Sequence, residues 1–288
     1  MSNDTKYKTM EDTFPWPPEK SLMLQPSWHL LYCWIHKVAS TSWSEVFFYL
    51  RVNLSTGNPL LSTSRHAGER GSRQPTTRGH SILLPEVTRY DTGGKIYCSQ
   101  PASYNEFLPQ SALSSSLVFT IVRHPLERLV SAYRDKFEFA KKFAYIYNHY
   151  AHQVLNTTAA GSRTSRRPSF SDFVNYLLRT PVDQYNDHWV PYWLHCHLCE
   201  VEYDVIAKME TITEDTDFIS DRSGLSSFNI SLPWSNKKRP REDVTSEYIK
   251  QLSLTQLRRL YEIYKPDFEM FDYSIEPYLR LFDPEQQP

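Results

Sequence analysis

A chain of 288 residues, 40% hydrophobic and 14% aromatic, has a globular composition and enough length to bury one substantial core. Its formal net charge of -1 supplies no global field for recruiting nucleic acid, and eight glycines against 19 prolines exclude a repetitive or glycine-rich sheet protein. No run approaches the roughly 20 apolar residues of a membrane span, and the N-terminus has no signal-peptide core, so the sequence as it stands reads as soluble.

In chain order, residues 1–27 are polar and proline-punctuated and read as a surface arm ahead of a single domain over 28–282. Leu30–Ile35 (LLYCWI) is a short apolar run of buried-strand type. HKVASTSW follows, and then Glu45–Leu50, whose Val46, Phe47 and Leu50 fit one helix face. Residues 52–80, rich in Ser, Thr, Arg, Gly and Pro, read as a long loop or disordered insert. Ile96–Cys98 suggests a short strand and Ser103–Leu108 a short helix. Leu117–Val122 is almost wholly apolar and β-branched, as in a strand buried on both faces.

From Leu126 the period becomes helical: Leu126, Leu129, Val130 and Tyr133 share a stripe, Glu127, Arg128, Arg134 and Asp135 fall largely elsewhere, and Pro125 suits the first helical position. Lys141–Leu155 reads as helical, Asn156–Pro168 as a basic loop, and Phe170–Leu178 as an amphipathic helix capped by Ser169 or Ser171. A third strand is expected at Tyr203–Met209, a helix at Glu214–Ile219 and a basic loop at Asn236–Asp243. Helices fill Val244–Phe282, with Pro266 breaking the run. Strands alternating with helices give an α/β class with a mostly parallel sheet.

Two strand-loop-helix units therefore each carry a basic residue at the turn. Arg123 stands where a buried strand ends and a helix begins, the place where open α/β sheets bind ligands, and its guanidinium beside helix-start amides suits a phosphate. Ser131, two turns into the helix, offers a hydroxyl. Taken alone, the same corner reads equally well as an arginine paired with Asp or Glu. In the first unit, Lys37 with Ser40, Thr41 and Ser42 forms a hydroxyl-rich cradle ahead of a helix start. It lacks the glycine pattern of nucleotide triphosphatases, which disfavours a kinase or ATPase. Alone, it is also what a capped helix start with a solvated lysine looks like.

Together, HKVASTSW and TIVRHPLERLVSAYRDKF resemble the two nucleotide-binding signatures of Golgi carbohydrate sulfotransferases, the group that includes chondroitin and dermatan 4-O-sulfotransferases. DHWVPYWLHCHLCEVEYDVIAKMET and LYEIYKPDFEMFDY look like that family too, so the resemblance runs from about residue 28 to 275, excepting 52–80 and 156–168. It implies a P-loop-like sulfotransferase fold, the donor 3′-phosphoadenosine 5′-phosphosulfate, no metal, and a glycan acceptor, either a glycosaminoglycan or a glycoprotein glycan.

Position by position, the resemblance assigns Lys37, Val38, Ala39, Ser40, Thr41, Ser42 and Trp43 to the loop around the 5′-phosphosulfate, and Arg123 and Ser131 to the 3′-phosphate. The family loop commonly begins Pro-Lys. Here His36 precedes Lys37, which frees the entry angle of the loop and adds a potential charge near the sulfate. The resemblance also implies a Golgi enzyme with a lumenal catalytic domain and an N-terminal anchor. That anchor is missing from this sequence, and a truncated gene model or a distinct start exon is the expected explanation.

Sulfuryl transfer to a hydroxyl needs charge stabilisation on the departing phosphate and a general base. Among ten histidines, His188 in NDHWVP is the chosen base, beside an aromatic that can line a sugar site. Asp187, Glu202, Asp204 and Glu210 are further bases or orienters, and His124 reads as structural. The cluster from His195 to Cys199 invites a zinc reading, but no second ligand pair accompanies it, and a lumenal disulfide or inert thiols are preferred for the four cysteines. Sequons at Asn3, Asn53, Asn156 and Asn229 lean towards a secretory compartment.

The basic clusters Arg163, Arg166, Arg167 and Lys237, Lys238, Arg239, Arg241 read as solvated loops able to steer an anionic glycan. Two rivals stand beside the transferase: a non-catalytic glycan-binding relative and a P-loop-like small-molecule kinase.

Overall fold

The two most apolar runs are neighbouring parallel strands, and that adjacency brings their two following turns together. A computed structural model describes residues 21–55, 110–140, 144–156, 167–199, 201–228 and 242–283. The expected strand at Ile96–Cys98, the helix at Ser103–Leu108, the insert beyond residue 55 and most of the two basic loops lie outside the described residues.

Four strands form one sheet in the order β1 (Leu22–Gln25), β2 (Leu30–Cys33), β3 (Leu117–Val122), β4 (Val205–Lys208). β2, β3 and β4 are parallel, with Cys33 opposite Thr120 and Val122 opposite Lys208. All four β2 side chains are fully buried, as their unbroken apolar run requires of a strand covered on both faces. β1 is antiparallel to β2 and lies inside the stretch expected to be an arm. Its three apolar residues pack on the sheet core, and Gln25 Nε2 donates to Phe47 O at 3.1 Å. That pairing depends on β2 and has no local signature.

The helices are α1 (Ser40–Ser55), α2 (Gln110–Ser115), α3 (Pro125–Tyr133), α4 (Tyr145–Asn156), α5 (Phe170–Leu177), α6 (Tyr192–His195), α7 (Ile212–Ser223), α8 (Glu242–Ile249), α9 (Leu254–Met270) and α10 (Glu276–Leu279). α3 runs on into a π-helical stretch at Arg134–Glu138. The Leu126, Leu129, Val130, Tyr133 stripe of α3 joins a second core with α5, α8 and α9. Ser169 is the N-cap of α5: its hydroxyl accepts from Asp172 N while Asp172 Oδ2 accepts from Ser169 N, a reciprocal capping box.

Pro266 sits inside α9 and does not break it. The C-terminal run divides instead at Ser253, which caps α9 with Gln256, and after Met270. The hydrogen bond that Pro266 removes is offset by anchoring on either side: Tyr264, Asp267 and Phe268 are buried, and the Asp267 carboxylate accepts from Tyr192 N (2.8 Å) and Trp193 N (3.0 Å). Among the described residues no helix is long and apolar enough to cross a membrane.

A disulfide joins Cys33, at the end of β2, to Cys196, just after α6. It closes a long loop, since 163 residues separate its ends. Removing a native disulfide typically costs about 2–5 kcal/mol. Cys33→Ala with Cys196→Ala is therefore expected to lower the denaturation midpoint clearly, and equilibrium unfolding in urea, compared with the wild type under reducing and oxidising conditions, checks it.

Candidate active site

Both turns leave the sheet at the carboxyl ends of its two central strands. β2 ends at Cys33 and its loop enters α1 at Ser40. β3 ends at Val122 and passes through Arg123 and His124 into α3. The first loop coils tightly, with Lys37 at φ 76° and Ala39 at φ 58°. Two non-glycine residues in the left-handed region within one short loop is an unusual concentration of backbone strain, of the kind held at ligand clamps. Ala39 O accepts from Ser42 N and Trp43 N, so the amides of Ser40 and Thr41 are the helix-opening donors that have no carbonyl within the helix to bond. The loop thus presents N–H groups and hydroxyls at the positive end of a 16-residue helix.

Lys37 Nζ is held at 3.1 Å by Asp135 Oδ2, a residue of the π-helical stretch, and Lys136 Nζ reaches the same oxygen at 3.0 Å. Burial lowers the Lys37 pKa and Asp135 opposes that shift, while Lys136 and Arg123 lower it further by repulsion. Two lysines therefore share one carboxylate, with the Arg123 charge close enough to act on Lys37. Arg123 is 5% exposed; its Nε donates to Glu127 Oε2 at 3.1 Å, one helical turn on, and its backbone N–H donates to the Tyr192 hydroxyl at 3.0 Å. Its Nη2 is buried and meets no hydrogen-bond partner among the described residues. The ion-paired corner and the anion receptor are therefore both present: one side of the guanidinium is spent on Glu127 and another donor is left over.

Arg128, one turn further along α3, is 1% exposed and ties three separate backbone carbonyls together: His36 O (3.0 Å), Val190 O (2.7 Å) and Asp187 O (3.3 Å). Its guanidinium also lies 4.7 Å from the centre of the Tyr192 ring. This clamp fastens the first loop to the 187–190 turn. Its product is a stacked pair: the His36 and His188 rings lie 3.6 Å apart, 10° from parallel. Asp187 serves both, accepting from His188 Nδ1 at 2.8 Å through one oxygen and approaching His36 Nε2 at 3.3 Å through the other.

The tautomer of His188 follows from its partners. Nδ1 faces Asp187 Oδ1 and, at 2.6 Å, Asn186 Oδ1, both acceptors, so Nδ1 carries the hydrogen and the lone pair is on Nε2. Burial, the largest influence, pushes the His188 pKa down to about 4, against the pull of Asp187. The ring is therefore neutral near pH 7 and able to accept a proton. Asp187 is held well below the usual carboxylate range: burial would raise it, but the hydrogen bonds from His188 and His36 outweigh that. The donor atoms of His36, Asp187 and His188 lie within 4.8 Å of one another, close enough to share a cation, although the atoms concerned are already engaged with each other.

Residues 20–274 match the model of the family described as the sulfotransferase family. The chain belongs to that family. Carbohydrate sulfotransferase 11 of Mus musculus is 28% identical to this sulfotransferase over 270 residues, covering 91% of the chain and 69% of the relative. Carbohydrate sulfotransferase 12 of Xenopus laevis is 26% identical over 287 residues, 93% of the chain and 64% of the relative. Carbohydrate sulfotransferase 8 of Mus musculus is 28% identical over 270 residues, 88% and 56% respectively. No solved structure matches the chain.

The sulfotransferase brings Lys37 and Arg123 within electrostatic reach of each other, and puts His188 beside the residue that precedes Lys37. Val38 and Trp43 are fully buried in the sheet core, Trp43 against Phe119 at 4.7 Å, so their side chains shape the loop from behind. Ser131 is half-buried two turns along α3. His124 is structural: its Nδ1 accepts from Leu126 N as the cap of α3 and its Nε2 contacts Ser274 O. Asp204 and Glu210 are occupied elsewhere, by Val118 N and the Tyr273 hydroxyl. Cys196 and Cys199 are both disulfide-bonded, which removes the sulfurs of the zinc reading. Arg128 was not among the expected residues, and no spacing singles it out: a charge off the apolar stripe of a helix reads as solvated.

A pH dependence follows from His188. Its pKa is about 4 folded against about 6.5 in an unfolded chain, so between those values the unfolded state takes up a proton that the folded state refuses. Stability contributed here is present above pH 6.5 and lost as pH falls through 4. His188→Gln is expected to flatten that acid-side slope in urea denaturation series at several pH values. Comparing the two proteins separates His188 from Asp267, whose buried carboxyl is pushed up to about 7 and acts in the opposite direction.

Proposed function

We propose that this chain is a carbohydrate sulfotransferase, transferring a sulfuryl group from 3′-phosphoadenosine 5′-phosphosulfate to a glycan hydroxyl through one domain that takes in β1 as well as the expected 28–282. The observation that carries the reading is the convergence, at the carboxyl ends of the central strands, of an anion cradle and a neutral, carboxylate-oriented histidine. The residues fit the donor: a buried guanidinium whose Nη2 has no partner among the described residues is costly in isolation and is satisfied by a phosphate oxygen. Lys37, the helix-opening amides and the hydroxyls of Ser40, Thr41 and Ser42 suit the 5′-phosphosulfate, and Arg123 with Ser131 the 3′-phosphate. When bound, the donor supplies an activated sulfuryl group and a phosphate leaving group.

His188 Nε2 takes the proton of the acceptor hydroxyl, and Asp187 holds the ring in the tautomer that makes this possible and stabilises the imidazolium that results. His36, stacked on the same ring and bonded to the same carboxylate, fixes the plane in which His188 sits. Lys37 neutralises charge on the departing oxygens, exchanging Asp135 for them. The similarity to carbohydrate sulfotransferases supports a glycan acceptor and, with the disulfide, a lumenal Golgi setting.

A labelled-donor assay over a panel of desulfated glycosaminoglycans and glycoprotein glycans tests the reading, with transfer to at least one expected. Tight binding of adenosine 3′,5′-bisphosphate without transfer to any glycan would favour a non-catalytic relative. Preference for ATP with magnesium over the bisphosphate would favour a kinase.

A further inference from the structure

The π-helical stretch at Arg134–Glu138 brings to the first loop a carboxylate that is held differently from others in the protein. Asp172, Asp204, Asp215 and Asp267 each accept from a backbone N–H, which fixes them in place. The Asp135 carboxylate has, among the described residues, only two partners, both at the ends of long side chains: Lys37 Nζ at 3.1 Å and Lys136 Nζ at 3.0 Å, on the same Oδ2. Its side chain is 48% exposed. It can therefore leave one lysine for the other without stranding a buried backbone donor.

Neighbours in sequence do not face each other on a regular α-helix. Here the turn is wider: Phe139 N donates to Arg134 O at 2.8 Å, five residues back, and Asp135 and Lys136 converge. Such π-helical insertions are frequent at functional sites. The backbone behind the pair is pinned. Phe137 is fully buried in the second core, the Tyr248 hydroxyl donates to Glu138 Oε2 at 2.5 Å, and Arg167 Nη1 donates to the carbonyls of Phe137 and Glu138 at 2.8 and 2.9 Å. The stretch is thus a fixed frame carrying a movable ion pair.

We propose that Asp135 is a placeholder for the phosphosulfate of the donor, holding Lys37 until the donor arrives, and that Lys136 is the positioning residue that then takes the carboxylate over. The inference rests on the donor reading above and adds to it how Lys37 is kept ready and how it is released. No proton moves in the exchange: Lys37 trades a carboxylate oxygen for a donor oxygen, and Asp135 keeps one ammonium throughout. Two ammonium groups on one carboxylate leave a positive charge over, which the donor anion balances. Burial pulls the Lys37 pKa down, Asp135 pulls it back up, and Lys136 and Arg123 lower it by repulsion. Asp135 therefore keeps Lys37 protonated before the donor's own charge takes over that task.

The test is calorimetry with adenosine 3′,5′-bisphosphate on the full chain, at pH 7 and at rising pH, using Lys37→Met, Asp135→Asn, Lys136→Met and the last two combined. Both substituted side chains of the pair reach solvent, so neither change opens a core cavity. Asp135→Asn is expected to tighten the bisphosphate about two- to fivefold, because no carboxylate competes for Lys37. Lys136→Met is expected to weaken it by a similar factor, because Asp135 then has only Lys37 to hold. In the Asp135→Asn background that loss should disappear, the signature of a residue acting through its neighbour. The affinity of Asp135→Asn should also fall away at lower pH than that of the wild type, since Lys37 has lost the charge that keeps it protonated.

Binding by Asp135→Asn at pH 7 that is no tighter than wild type overturns the placeholder. An equal Lys136→Met loss in both backgrounds overturns it too, and would put Lys136 on the ligand itself. Lys37→Met separates this failure from that of the donor reading: undiminished bisphosphate affinity in that variant would mean that the 5′-phosphate does not sit at Lys37, and both readings would fall together.

Discussion

His188→Gln is expected to lower kcat by roughly 10²- to 10⁴-fold while the KM for the donor changes little. The expectation comes from where the hydrogen sits. Asp187 and Asn186 both present oxygens to Nδ1, which leaves Nε2 as the basic atom, and burial keeps the ring neutral where the reaction runs. Glutamine keeps a polar group of similar reach but has no nitrogen lone pair to take a proton. Asp187→Asn should show part of the same loss, because an amide that turns its NH2 towards Nδ1 favours the tautomer with hydrogen on Nε2.

His36→Pro, which restores the residue the related loop usually carries, removes the stacked ring and one of the two partners of Asp187. Its effect should be smaller, since His188 retains its own bond to Asp187. Presteady-state measurement of the transfer step separates this from product release. A His188→Gln protein with undiminished single-turnover rate would move the base elsewhere, and Glu202 would then be the first of the other carboxylates to examine.

The residues legible in the sequence were those whose roles are local. Leu117–Val122 announces itself by being apolar on both faces, Pro125 and the Leu126 stripe announce the helix that follows, and the junction between them fixes Arg123 without further help. A serine cap ahead of this helix could be read as Ser169 or Ser171, and the structure picks Ser169, whose partner Asp172 is three residues away. What could not be read is whatever depends on contacts far along the chain. β1 exists because β2 offers it an edge. Pro266 is tolerated because Asp267 is pinned by the backbone of α6. Arg128 reads as a solvated charge until His36, Asp187 and Val190 are brought around it, and then it is the clamp that builds the histidine pair. His36 itself was visible as a departure from the related loop, but its stacking on His188 required knowing that the 187–190 turn comes back over the first loop.

Arg123→Lys is expected to weaken adenosine 3′,5′-bisphosphate about ten- to a hundredfold and to leave the poorer binding of adenosine 5′-phosphate nearly unchanged. A hydrogen bond to a charged group is worth roughly 1.5–3 kcal/mol, and each 1.4 kcal/mol is about a factor of ten in affinity. Lysine keeps the charge but lacks the planar fork, so it cannot serve Glu127 and a phosphate oxygen from two fixed directions at once. In the wild type those directions are already divided: Nε is taken by Glu127 at 3.1 Å, and Nη2 is buried with no protein partner among the described residues.

The same division predicts the behaviour of Glu127→Gln. That variant removes the carboxylate charge but keeps an oxygen able to accept from Nε, and bisphosphate affinity should stay within a few-fold of the wild type, because the donor facing the ligand is not the one Glu127 holds. Calorimetry on folded proteins decides the matter. Equal losses for both nucleotides in Arg123→Lys would mean that the guanidinium does not distinguish the 3′-phosphate, and Arg123 would return to the role of a corner residue whose partner is Glu127 alone.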